Sequence, residues 1–170
     1  MARPRAATYD GQRAQILAAA ATLFARRGYT ATTMNEVAAA CGVSKATLYH
    51  YVSDKAGLLE HIARGHVERL EALVREVPPS PTRLRELIAR FMRAYADAQD
   101  EHRVLTEDVK FLPASARNVV LAGERRVVAA FADAIAEARP GLDAPLRKPL
   151  AMLLFGMINW TFTWLRPAGR

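Results

Sequence analysis

The 170-residue sequence predicts an all-α chain: a three-helix N-terminal helix–turn–helix unit, then a second helical domain. Three observations carry this. Apolar residues recur at i, i+3, i+4 and i+7 through most of the chain, and no β-rich alternation, internal repeat or low-complexity segment interrupts them. Helix-opening and helix-closing residues bracket these stripes. One strong break, Pro78-Pro79-Ser80-Pro81, separates the stripes into two groups.

Residues 1 to about 9 read as a flexible arm in which Arg3 and Arg5 could lie along nucleic-acid phosphates or in a minor groove; a plain tail is the alternative. From Gly11 to Arg27, the residues Ile16, Leu17, Ala20, Leu23 and Phe24 form one apolar stripe, and Arg26-Arg27-Gly28 closes the helix. Thr33 and Glu36 have the spacing of a capping box opening a second helix, with Val37, Ala38 and Cys41 along its apolar edge. Gly42 suits the positive φ of a sharp turn, and Val43 faces the core. Ser44 is the expected N-cap of a third helix, Lys45 to Tyr51, whose Leu48 and Val52 point inward at i, i+4.

That register leaves Lys45, Ala46, Thr47, Tyr49 and His50 outside and Tyr51 at the edge; Thr33, Asn35 and Ser44 complete a polar surface. Lysine, hydroxyl and imidazole groups offer donors to phosphates and base edges, and the Ala46 methyl or the Thr47 side chain suits a thymine methyl. Such a helix pair places its second helix in the major groove. An ordinary helical hairpin with a polar outer face shares the spacing.

The residues say more than the spacing. T-T-x-x-E-V-A-x-x-x-G-V-S-K-x-T-L-Y-x-Y-x-x-x-K-x-x-L, within Gln12 to Leu59, resembles the DNA-binding domain of the TetR family of bacterial transcriptional regulators. Ala46, Val52 and Cys41 depart from the residues commoner at those positions, and none of the three changes removes a donor. The resemblance implies a ligand-responsive repressor that sits as a homodimer on a palindromic operator of double-stranded DNA. It also implies that Lys55 binds a phosphate.

Ser53-Asp54-Lys55 opens a long helix to about Val77, with Leu58, Leu59, Ile62, His66, Leu70, Leu73, Val74 and Val77 on one side. His61 and His66, five apart, lie on different faces and out of metal register, so His66 is expected to be a packed histidine. Four helices follow, at about 82–99, 102–112, 115–138 and 143–165. The expected organisation is 1–53 as the DNA-binding domain with its arm, 54–77 as a connecting helix, and 82–170 as a helical ligand-binding and dimerisation domain.

The last helix is apolar on nearly all sides and so requires cover on more than one face. Leu153, Gly156, Trp160 and Trp164 make it the expected dimer seam, Gly156 permitting close approach. The monomer's own core is the competing use. The resemblance implies one more helix completing that interface, whereas the sequence closes on Arg166-Pro167-Ala168-Gly169-Arg170. Members of the family house a small-molecule pocket in the second domain, for which Phe91, Met92, Tyr95, Phe111, Asn159, Trp160 and Phe162 are the candidate lining. The ending L-x-x-G-x-x-N-W-x-x-x-W-x-R-P, Leu153 to Pro167, looks like that of catabolic regulators sensing acyl-CoA thioesters. Arg103, Arg117, Arg125 and Arg126 could meet such a ligand's phosphates, or form a solvated basic face.

Composition agrees with a nucleic-acid partner. Formal net charge is +7, and the excess is denser near the start: ten basic against six acidic residues up to Arg75, fourteen against eleven beyond. A lone cysteine, Cys41, excludes an intrachain disulfide and fits a reducing cytoplasm. The basic N-terminus lacks the apolar run of a signal peptide, and Leu150–Leu165, interrupted by Gly156 and Asn159, suits a buried helix better than a membrane span. No GxSxG elbow, phosphate-cradling glycine loop, HExxH or Cys/His zinc spacing occurs. The neighbours Asp100-Glu101 and Glu107-Asp108 point apart on a helix, so an enzyme, a cofactor and a metal are all unexpected.

Overall fold

The computed structural model describes residues 3–160, with side chains from Tyr9 onward. Among these residues all regular structure is helical: α1 (Arg3–Arg27), α2 (Met34–Ala40), α3 (Lys45–Tyr51), α4 (Lys55–Glu76), α5 (Arg83–Asp97), α6 (Gln99–Asp108), α7 (Ala114–Ala138) and α8 (Ala144–Trp160), with a 3-10 turn at Val109–Phe111. The expected all-α fold is the observed one. Two boundaries differ. Helix α1 starts at Arg3, so the expected flexible arm is helical from there on, whereas α6 begins earlier than expected and tightens into the 3-10 turn before Pro113.

The chain divides into two compact units. One comprises the residues through His66 together with Asp100–Asn118, the other Val67–Gln99 together with the residues from Val119 on. This is not the serial division expected around residue 53 and the Pro78–Pro81 break. Residues 100–118 side with the first unit because α6 bonds to it directly: Thr22 Oγ1 donates to Asp100 Oδ2 at 2.6 Å. His66 Nε2 and His102 Nδ1 lie 3.3 Å apart, both rings buried, so His66 is the packed histidine its register predicts.

The first unit's core joins Ile16, Ala20 and Phe24 of α1 to Val37, Leu48 and Val52 and to Leu58, Leu59 and Ile62 of α4, all buried. At roughly 1.5–3 kcal/mol for each fully buried large aliphatic or phenyl side chain, this burial holds two seven-residue helices too short to persist alone. The second unit is built on aromatic packing. Phe131 lies 4.8 Å from Phe91 and 4.7 Å from Phe155, ring centre to ring centre, and Tyr95 stands edge-on to Phe91 at 5.9 Å. Arg83 Nη1 donates to Glu137 Oε1 at 2.8 Å and ties α5 to α7.

Candidate nucleic-acid interface

The α2–turn–α3 segment is fixed by local chemistry at each joint. Thr33 is the N-cap of α2: its Oγ1 accepts from Glu36 N at 3.2 Å, and Glu36 Oε2 accepts in return from Thr33 N at 2.8 Å. Arg27 Nη1, at the end of α1, donates to Glu36 Oε1 at 2.8 Å, so the cap also anchors the preceding helix. Gly28 and Gly42 take φ of 86° and 63°, a region that costs residues with a Cβ. Ser44 caps α3 by accepting from Thr47 N at 3.0 Å, and its Oγ lies 2.8 Å from Thr47 Oγ1.

The outward set is the one the register predicts except at Thr47, which the register puts outside. Lys45, Ala46, Tyr49 and His50 are exposed, as are Thr33, Asn35 and Ser44; Thr47 and Tyr51 are half-buried. Leu48 is wholly buried and Val52 nearly so. Tyr9, assigned by sequence to the mobile arm, is part of α1, and its ring lies 4.6 Å from that of Tyr51 at 30° and 6.0 Å from His50 at 89°. The early turns of α1 therefore brace the end of α3. A lone Tyr ahead of an amphipathic stripe carries no sequence signal for that contact.

Lys55 opens α4, as its sequence context predicts. Its Nζ donates to the carbonyls of Tyr29 and Thr32, each at 2.9 Å, and of Thr30 at 3.4 Å. The Lys55 ammonium thus ties the start of α4 to the connection between α1 and α2. The residue missed by sequence reading is Thr32, wholly buried, whose Oγ1 donates to Gly28 O at 3.0 Å and closes the α1–α2 connection.

Electrostatics sharpen the cap. The Glu36 carboxyl is held below its ordinary value of 4.5, first by the Thr33 backbone N–H, then by the Thr33 hydroxyl, with Arg27 adding to both. A carboxyl depressed on folding stabilises the cap above its unfolded value, and that help is lost as pH falls through the lowered folded value. Following the Glu36 side-chain carbon by NMR should give a midpoint below 4.5; a midpoint at or above it would mean that the box is open in solution. Burial pushes the Cys41 thiol up, which disfavours its thiolate.

The expected ligand residues separate. Phe91 and Tyr95 are buried in the second unit's core, Met92 packs against it, and burial drives the Tyr95 phenol well above its usual range. Asn159 is half-buried, and its Oδ1 is buried without a hydrogen-bond partner among the described residues. Phe111 belongs elsewhere: it lies in the first unit, stacked on Tyr29 at 5.2 Å, too far along the chain from the Phe91 cluster to have been sorted by sequence. Trp160 is 67% exposed, which suits a surface and not a pocket wall. Arg103 and Arg126 are engaged by Glu107 and Glu71, whereas Arg125 is exposed and Arg117 half-buried. Phe162 and Trp164 lie outside the described residues. Leu153 and Gly156 are exposed on α8. Among the described residues no group of three metal-ligating side chains converges, and no helix is long and apolar enough to cross a membrane.

A capped α2–turn–α3 pair preceded by α1, with a separate helical unit following in sequence, defines a helix–turn–helix protein of two units. The chain belongs to the TetR family: residues 16–62 match the "Bacterial regulatory proteins, tetR family" and residues 78–170 match the "Tetracyclin repressor-like, C-terminal domain". It is similar to the transcriptional repressor KstR2 of Rhodococcus jostii RHA1, 32% identical over 112 residues that make up 64% of this chain and 55% of that protein. The chain spans a little over half the length of the first curated relatives it matches. A TetR-family regulator from Bordetella parapertussis 12822 superposes with a TM-score of 0.87 at 36% identity, covering 92% of this chain and 85% of that one. AibR in complex with isovaleryl coenzyme A and operator DNA superposes with a TM-score of 0.79 at 28% identity, covering 94% and 90%.

Proposed function

We propose that this protein is a ligand-responsive transcriptional repressor that binds a palindromic operator as a homodimer and is released by a small hydrophobic effector of the acyl-CoA class. The observation that carries the reading is the exposed Lys45–Tyr51 face, held by a cap at each helix start. One seven-residue helix reads only a few base pairs, so specificity calls for two copies related by a twofold axis. The second copy has a surface to meet. Leu146, Leu150, Leu153, Met157 and Trp160, in alternating steps of four and three, are all exposed on α8, while Ala151, Phe155 and Ile158 fill the unit's own core.

The effector reading rests on AibR, solved with isovaleryl coenzyme A and operator together, and on the buried Asn159 Oδ1, which could accept from a thioester ligand's amide N–H. Phe91, Met92, Tyr95 and Asn159 remain the proposed lining; Phe111 and Trp160 leave it. Selection of bound duplexes from a random pool should return an inverted repeat. Saturating short-chain acyl-CoA should then weaken binding to that duplex about tenfold or more, a coupling of about 1.4 kcal/mol per tenfold. No motif in the selected pool would favour a nonspecific binder driven by net charge; a motif indifferent to acyl-CoA would keep the operator and remove the effector class.

A further inference from the structure

The two ends of α3 are held by different means. At its start Ser44 supplies the cap; at its end Val52 leaves the helix in extended backbone, its N–H returning to Leu48 O. What meets this end is Tyr9. Its ring lies 4.6 Å from that of Tyr51, tilted by 30°, and 6.0 Å from the His50 imidazole, edge-on at 89°. His50 and Tyr51 stand 5.5 Å apart at 82°, so the three rings close a triangle. At such separations aromatic rings attract one another beyond what their buried area returns.

Tyr9 is itself firmly seated. It lies seven residues ahead of Ile16, two turns along the same face of α1, and Gln12 and Arg13 between them are half-buried. The stripe that sets Ile16, Ala20 and Phe24 in the core therefore runs on to Tyr9, and that ring moves only if α1 moves. By contrast α3 has seven residues, of which Leu48 alone is buried. One anchor near the middle leaves a short helix free to rock about it; a second contact at the far end removes that freedom. Tyr51 is half-buried and His50 exposed, so the triangle still leaves both within reach of a duplex. A phenol or imidazole meeting a phosphate or base edge binds better when its ring is already placed, because less torsional freedom is lost on binding.

We infer that Tyr9 is a positioning residue for operator reading: its ring sets where Tyr51 and His50 stand, and through them the angle at which α3 meets DNA. The inference deepens the operator reading above and rests on it.

The test uses the full chain and the duplex it selects. Tyr9→Ala should weaken binding about three- to tenfold, whereas Tyr9→Phe, which keeps the ring, should bind within about twofold of wild type. The slope of log affinity against log salt should hold in both variants, since neither loses a cation. In a Tyr51→Ala background the Tyr9→Ala loss should shrink, the non-additivity of residues in contact. Without DNA, the ring-proton shifts of Tyr51, assigned by their loss in Tyr51→Phe, should move in Tyr9→Ala and stay in place in Tyr9→Phe. Circular dichroism should report intact helix in both. Equal losses in Tyr9→Phe and Tyr9→Ala would make the Tyr9 hydroxyl itself a DNA ligand and overturn the inference. So would an undiminished Tyr9→Ala loss in the Tyr51→Ala background, or Tyr51 ring shifts that ignore Tyr9→Ala. A wild-type chain that selects no motif would overturn the operator reading, and this inference with it, before any variant is made.

Discussion

Leu153→Glu combined with Met157→Glu is expected to leave the chain monomeric and to lower its affinity for an inverted-repeat duplex by roughly 10²- to 10⁴-fold, the range that tethering two heads confers. Both side chains are about two-thirds exposed on α8, at 66% and 64%, so the substitutions leave each subunit's packing alone. In a twofold seam they would bring four like-charged carboxylates out of water and close to one another, an arrangement whose desolvation exceeds what the surrounding apolar contacts return. Size-exclusion chromatography with light scattering reads the mass, and fluorescence anisotropy reads the duplex. Helical content and melting temperature of the single subunit should stay near wild type. A double variant that still runs as a dimer with unaltered affinity would place the seam elsewhere.

The difference between what the sequence told and what it withheld follows the range of each interaction. Thr33 with Glu36, Ser44 with Thr47 and the turn at Gly42 are closed within four residues, so their chemistry is complete in a short window and was legible. The apolar stripe of α1 and the inward pair Leu48 and Val52 were legible for the same reason. The carbonyl partners of Lys55 were not legible because they lie 23 to 26 residues back, on a loop that no sequence pattern advertises. Asp100 could not be assigned to the first unit, since Thr22 is 78 residues away. For α8 the composition said that more than one face needed cover, and Leu153 was named; which other residues face outward, Leu146 and Leu150 among them, depends on how Ala151, Phe155 and Ile158 seat against Phe91 and Phe131.

Gly123 shows the same limit, and it carries the second large effect. A glycine inside α7 reads as a weak point, and replacing it with alanine in an ordinary helix interior gains about 0.5–1 kcal/mol. Here the sign should reverse. A Cβ built on Gly123 would overlap the Cγ1 methyl of Val67 on α4, and Val67 is buried. A β-branched residue in a helix is held close to one χ1 rotamer, so Val67 cannot swing its methyl aside. Nor can the helices slide apart freely, because Arg126 of α7 is bonded to Glu71 of α4 one turn from the crossing. Gly123→Ala is therefore expected to destabilise the chain by about 1–3 kcal/mol, the usual cost of overpacking, and to lower the melting temperature by about 2–4 °C for each kcal/mol in a chain of this size. Val67→Ala leaves room for the new methyl. In denaturant titrations the Val67→Ala, Gly123→Ala pair should fall short of the summed single losses by about 0.5–3 kcal/mol, the coupling expected of residues in direct contact. If Gly123→Ala alone stabilises the chain, α4 and α7 do not meet at this point and the close crossing is not the form the protein takes in solution.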